Sequence, residues 1–119
     1  RGSDQGPNYD AASIQEASKL LKKANLLEAL VVDCSHDNSQ KNYLHQQIAF
    51  ANIIEQIASA NKTIRGIMLE SFIEAGSQGP FVVKDLGQSI TDPCLDWKTT
   101  EHMIRQGADV IREKVFSCV

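Results

Sequence analysis

The chain has 119 residues, the size of one domain, and its 42% hydrophobic and 23% charged content is that of a globular protein. A net charge of −3 with no basic stripe argues against nucleic acid as the main partner. No apolar run approaches the roughly 20 residues of a membrane span, and three cysteines, Cys34, Cys94 and Cys118, without metal-finger spacing suit a reducing, cytoplasmic setting better than a disulfide framework or a zinc knuckle.

The first dozen residues, RGSDQGPNYDAA, are rich in Gly, Pro, Asp and Asn and read as a loop. SIQE at 13–16 has the capping-box form, with Ser13 as N-cap and Glu16 three residues on, and predicts a helix to about Ala24. Ala29 to Cys34 is short and nearly all apolar, as in a strand buried on both faces of a parallel sheet. A long helix is expected from about Asn42 to Ala60, with Leu44, Ile48, Ala51, Ile54 and Ala58 as its apolar stripe. A second buried strand follows at 64–71, IRGIMLES. The segment 72–95 is broken by glycines and prolines and reads as a long loop with a short strand at 88–91. Asp96 caps a last helix running to about Val115, with a core stripe of Ile104, Ala108, Ile111 and Val115. Strands and helices alternating at this spacing imply an α/β fold with right-handed βαβ units and a parallel sheet.

Both strands run into polar chemistry. VVDCSHDNSQKN, residues 31–42, carries His36 just past the first strand, and Glu70 lies at the end of the second. SITDPC adds Asp92 from the long loop. In parallel α/β folds the site lies at the carboxyl ends of the strands, so these three residues are aimed at one face of the sheet. One imidazole nitrogen and two carboxylates are a sound ligand set for a divalent metal such as Mn²⁺, Fe²⁺ or Zn²⁺. Taken singly, each has a plainer reading: His36 as a loop cap, Glu70 as a solvated strand-end charge, Asp92 before Pro93 as a turn. Cys34 reads as a buried thiol and not a ligand. His45 and His102 lie on helices with no site role, and Trp97 reads as packing. Lys22, Lys23 and Lys41 read as solvated, with Lys41 near enough to the strand end to help order the site.

RGS…PNYDA, VDCSHDNSQKN, IMLES and SITDPCLDW, in this order, resemble the type I 3-deoxy-D-arabino-heptulosonate 7-phosphate (DAHP) synthases over essentially the whole chain. These enzymes condense phosphoenolpyruvate with erythrose 4-phosphate in the first step of the shikimate pathway, toward the aromatic amino acids. The resemblance implies a (β/α)₈ TIM barrel, which takes about 250 residues. Residues 1–119 would then be the C-terminal third of one catalytic domain, from the end of strand 6 through helix 8, incomplete as a barrel. His36, Glu70 and Asp92 match the family's metal-binding histidine, glutamate and aspartate. Arg1 matches the arginine of its RGG motif, which holds the phosphate of phosphoenolpyruvate. The family's fourth ligand, a cysteine from an early strand, and its other phosphate-binding lysines and arginines have no counterpart among these residues. Ser3 replaces the second glycine of RGG, Phe72 and EAGSQ replace the commoner N…EGNQ, and Pro93 stands where alanine is common; none removes a ligand.

The resemblance thus implies part of a metal-dependent DAHP synthase, inactive by itself. Two other readings stay open: a related barrel condensing phosphoenolpyruvate with a different sugar phosphate, and a non-catalytic piece that folds by association. Two or three strands leave unpaired edges, so a homo-oligomer or association with the missing N-terminal part is expected.

Overall fold

The computed structural model describes residues 1–81 and 84–116. At its centre β1 (Leu30–Asp33) and β2 (Ile64–Met68) pair in parallel, with Val31 opposite Gly66 and Asp33 opposite Met68. Helix α1 (Ala11–Lys23) precedes β1, and α2 (Gln46–Ala58) makes the crossover to β2. Beyond β2 come two short strands, β3 (Glu74–Ser77) and β4 (Gln88–Ser89), also parallel to each other, and then α3 (Trp97–Phe116). Among the described residues the result is a small α/β piece with parallel strands that do not close into a barrel: each sheet has two strands.

Helix α1 is capped by Asp10 and not, as the capping-box pattern suggests, by Ser13. The Asp10 carboxylate accepts from the Ser13 amide at 3.0 Å and from its hydroxyl at 2.5 Å. An acidic side chain three residues ahead of a serine reaches the third amide of the helix, so the serine becomes a donor inside the first turn.

The expected strand burial is one-sided. Val32 and Cys34 are enclosed with Ile14, Ala49, Ile53 and Ile64 in the core, whereas Val31 is 69% exposed. The helices cover one face of the sheet and leave the other open. Strand β2 also ends at Met68, short of the expected 71.

The long middle helix is shorter than its pattern. Asn42 accepts from the Leu44 amide at 3.1 Å and starts a 3₁₀ turn, Tyr43–His45, ahead of α2. The buried face of α2 is Gln46, Ala49, Phe50, Ile53 and Ile54, while Leu44 and Ile48 of the expected stripe are more than half exposed. This helix carries apolar residues on more than one face, so periodicity offers two stripes, and packing on β2 and α3 selects between them.

Helix α3 begins where Asp96 predicts: its carboxylate accepts from the Thr99 amide at 2.7 Å and from the Thr99 hydroxyl at 2.9 Å. Thr100, Met103 and Gly107 are buried, and Ile111 of the expected stripe packs against the core with Val110, whereas Ile104 is 49% exposed instead of central. Gly107 sets the close crossing with α2, since a Cβ there would stand 2.9 Å from Phe50 Cζ and Ile54 Cδ1. Val115 and Cys118 lie outside the residues whose side chains are described. Trp97 is 59% exposed and sits at the rim of a groove with Ile67, Leu69 and Ile104, so packing holds only part of it. Among the described residues no helix is long and apolar enough to cross a membrane.

The bonds from Thr99 hold the Asp96 carboxyl below its usual range. A depressed carboxylate pKa gives stability that is present above the unfolded pKa and lost as pH falls through the folded one. Asp96→Ala is therefore expected to cost about 1 kcal/mol at neutral pH. Urea unfolding of variant and wild type at pH 7 and pH 3 checks this, and the difference should shrink at the acidic pH.

Candidate metal centre

After Asp33 the chain turns sharply into a 3₁₀ turn, His36–Ser39, in which His36 has φ 53°, followed by Gln40 at 54° and Lys41 at 61°. Positive φ at three non-glycine residues is costly and persists only where neighbours over-determine it. Buried Asn38 supplies much of that restraint. Its amide nitrogen donates to the Asp33 carbonyl at 2.7 Å, and its side-chain oxygen accepts from the Asn8 amide at 2.7 Å. The Asn38 backbone N–H donates to the Arg1 carbonyl at 3.1 Å, which ties the start of the chain to the same turn.

Asp33 holds the His36 ring. Its Oδ2 lies 2.7 Å from His36 Nδ1, and its Oδ1 accepts from the Ser35 amide at 2.8 Å and the Ser35 hydroxyl at 2.6 Å. A carboxylate on Nδ1 places the ring proton there and leaves Nε2 as a bare lone pair. That Nε2 lies 3.3 Å from Glu70 Oε1. Two acceptors this close need a proton or a cation between them.

Glu70 comes from the segment just beyond β2. Burial pushes its carboxyl pKa up; His36 pulls it down, and Asp92 and Asp33 push it up again. Asp92 follows β4 and is exposed. Its neighbourhood is fastened to the other two: Cys94 exchanges backbone hydrogen bonds with Gly76 of β3 at 2.8 and 3.0 Å, and the Leu95 N–H donates to the Glu70 carbonyl at 3.0 Å. One ligand atom from each of His36, Glu70 and Asp92 lies within 4.8 Å of the others. Two ligands each about 2.1 Å from one ion stand at most about 4.2 Å apart, so the set is close to the spacing a shared ion requires. Three carboxylates around one imidazole leave the site short of positive charge. Donor types, spacing and charge all fit a divalent cation.

These three residues line a cleft of about 380 Å³ together with Arg1, Lys41 and Pro93. The cleft thus brings the four residues singled out from sequence to one place and adds a second cation, Lys41. Cys34 is fully enclosed, and burial with the adjacent Asp33 charge pushes its thiol up to about 12, which leaves it a core residue. Sequence reasoning missed Asp33 as the ring's holder. It also missed Gln46, whose only signal is a polar side chain at a core position of α2.

Residues 1–105 match the profile of the DAHP synthetase I family. A tyrosine-inhibited phospho-2-dehydro-3-deoxyheptonate aldolase of Schizosaccharomyces pombe is 42% identical over 120 residues, covering 96% of this chain and 32% of that protein. A Trp-sensitive phospho-2-dehydro-3-deoxyheptonate aldolase of Buchnera aphidicola is 42% identical over 110 residues, covering 88% of this chain and 31% of that protein. The solved structure of the phospho-2-dehydro-3-deoxyheptonate aldolase of Francisella tularensis superposes with a TM-score of 0.88 at 37% identity, over 96% of this chain and 33% of that one. The chain spans about a third of the length of these relatives.

Proposed function

The chain belongs to the DAHP synthetase I family, and from that premise we propose that it forms the metal-holding part of a DAHP synthase. In this reading residues 1–119 are the end of strand 6 through helix 8 of a single TIM-barrel catalytic domain. The intact domain condenses phosphoenolpyruvate with erythrose 4-phosphate. The observation that carries this is the convergence of His36, Glu70 and Asp92 in one cleft with Arg1.

His36 Nε2, Glu70 and Asp92 would hold the divalent metal, which supplies Lewis-acid polarisation of the aldehyde carbonyl. Asp33 keeps the His36 proton on Nδ1, so the ring faces the cleft as a donor of electrons. Arg1 at the cleft wall binds the phosphate of phosphoenolpyruvate, since its planar fork matches phosphate oxygens with paired, charge-assisted hydrogen bonds. The raised Glu70 pKa makes metal binding weaken on acidification earlier than for an ordinary glutamate.

The full-length gene product is expected to consume phosphoenolpyruvate and erythrose 4-phosphate together, to lose activity on chelation and to regain it with Mn²⁺. Condensation with a different sugar phosphate only would move the protein to a related class of barrel.

A second reading concerns the chain by itself. Both edges of the β1–β2 sheet are open among the described residues, and Val31, Ile48 and Ile104 are large, apolar and 69%, 59% and 49% exposed. Such edges and patches recruit another chain. The isolated 119-residue chain should therefore scatter light as an oligomer and lack synthase activity; a monodisperse monomer would contradict this.

A further inference from the structure

Gln46, the first residue of α2, is completely buried and spends its whole side-chain amide on one residue. Its Oε1 accepts from the Glu70 N–H at 2.8 Å, and its Nε2 donates to the Glu70 carbonyl at 3.1 Å. We propose that Gln46 is the positioning residue for the Glu70 ligand, standing in for a strand neighbour that β1 cannot supply. The proposal rests on the metal reading above.

The need for a stand-in follows from the backbone. Pairing of β1 with β2 ends at Asp33 opposite Met68, and its last hydrogen bond runs from the Cys34 N–H to the Met68 carbonyl at 2.9 Å. From there β1 turns away to present His36, so among the described residues the peptide of Glu70 has no strand beside it on that side. A buried N–H left alone is costly, because it has given up its water without gaining a partner. A primary amide can turn a donor and an acceptor in the same plane toward one residue, as a strand neighbour would. On its other side the Glu70 carbonyl accepts from Leu95, three residues after Asp92. The Glu70 peptide is thus gripped by α2 on one side and by the Asp92-bearing segment on the other. Without Gln46 the Glu70 carbonyl would keep its bond from Leu95, but the Glu70 N–H would lose its partner.

The test measures Mn²⁺ dissociation constants, and the EPR spectrum of the bound ion, for the full-length gene product and its Gln46→Met and Gln46→Glu variants. Methionine keeps the volume and removes both partners; glutamate keeps the shape and the acceptor but cannot donate when ionised. Affinity should fall about 10–100-fold in either variant, the range seen when the supports of metal ligands are removed. The spectrum of the residual bound Mn²⁺ should change. Ile53→Ala, a core truncation on the same helix, should lower stability while leaving affinity and spectrum as in wild type. Unaltered affinity and spectrum in a folded Gln46 variant, or an equal loss in Ile53→Ala, overturns the positioning role. A wild-type protein that binds no Mn²⁺ overturns the metal reading itself, and this inference with it.

Discussion

Replacing His36 with alanine is expected to abolish tight binding of a divalent metal and to cut synthase turnover of the full-length gene product by about a thousandfold or more. Lewis-acid stabilisation of a developing charge is worth several kcal/mol, and about 4 kcal/mol is about three factors of ten in rate. Removing the imidazole leaves two carboxylates, one of them exposed. The fold should survive, because Asp33 keeps the Ser35 amide and hydroxyl, and the turn keeps its Asn38 bonds. His36→Asn is the informative companion. Asparagine tolerates the positive φ at this position, so it preserves the turn while its shorter side chain falls short of the ion. Metal content after dialysis and steady-state rates for both variants check the expectation. Retention of stoichiometric metal by a folded His36→Ala protein would remove His36 from the ligand set.

Gly2→Ala should raise the KM for phosphoenolpyruvate by about tenfold to a hundredfold with a smaller change in the affinity for metal. Gly2 has φ +75°, and a Cβ there would lie 2.8 Å from the Asn38 nitrogen and the Asp37 carbonyl carbon. Both contacts are backbone, inside a turn already held at positive φ, so neither can yield cheaply. The N-terminal segment must move instead, and it carries Arg1 away from the cleft. A displacement of about 1 Å of a substrate-holding group can cost about a hundredfold. The His36 ring is held by Asp33 and Ser35, neither of which is in the Gly2 contact. The KM effect should therefore separate from metal binding, and steady-state kinetics beside a Mn²⁺ titration measure the two. An unchanged KM would place Arg1 outside phosphate recognition.

What was legible in the sequence was the direction of the chemistry. A four-residue apolar strand that runs into Asp, Cys, Ser and His has its polar groups at its carboxyl end, and parallel pairing sends every such end the same way. That is enough to bring His36 and Glu70 together, and the backbone bonds of Cys94 to Gly76 and of Leu95 to Glu70 carry Asp92 to them. Asp96 as a cap was legible because an N-cap is a local device. What escaped was decided by tertiary contacts. β3 reads EAGS, poor strand formers. It exists because Gln78 and Gln88 fasten it to β4, with Gln88 Nε2 donating to the Ala75 carbonyl at 2.8 Å and Gln78 Nε2 to the Gln88 carbonyl at 3.1 Å. The stripes of α2 and α3 held at Ile54 and Ile111, which pack on the core, and missed at Leu44, Ile48 and Ile104, because a helix with apolar residues on more than one face does not announce which side has a neighbour. Gln46 was passed over for a related reason: a polar residue at the head of an apolar helix looks like solvent-facing punctuation until its two bonds to Glu70 are seen.

The most direct test of the account is a crystal structure of the full-length protein grown with Mn²⁺, with anomalous scattering recorded at the manganese edge. One strong anomalous peak is expected within about 2.0–2.3 Å of His36 Nε2 and of carboxylate oxygens of Glu70 and Asp92, in the cleft that Arg1 lines. A peak elsewhere, with these three side chains bound only to one another or to water, would contradict it.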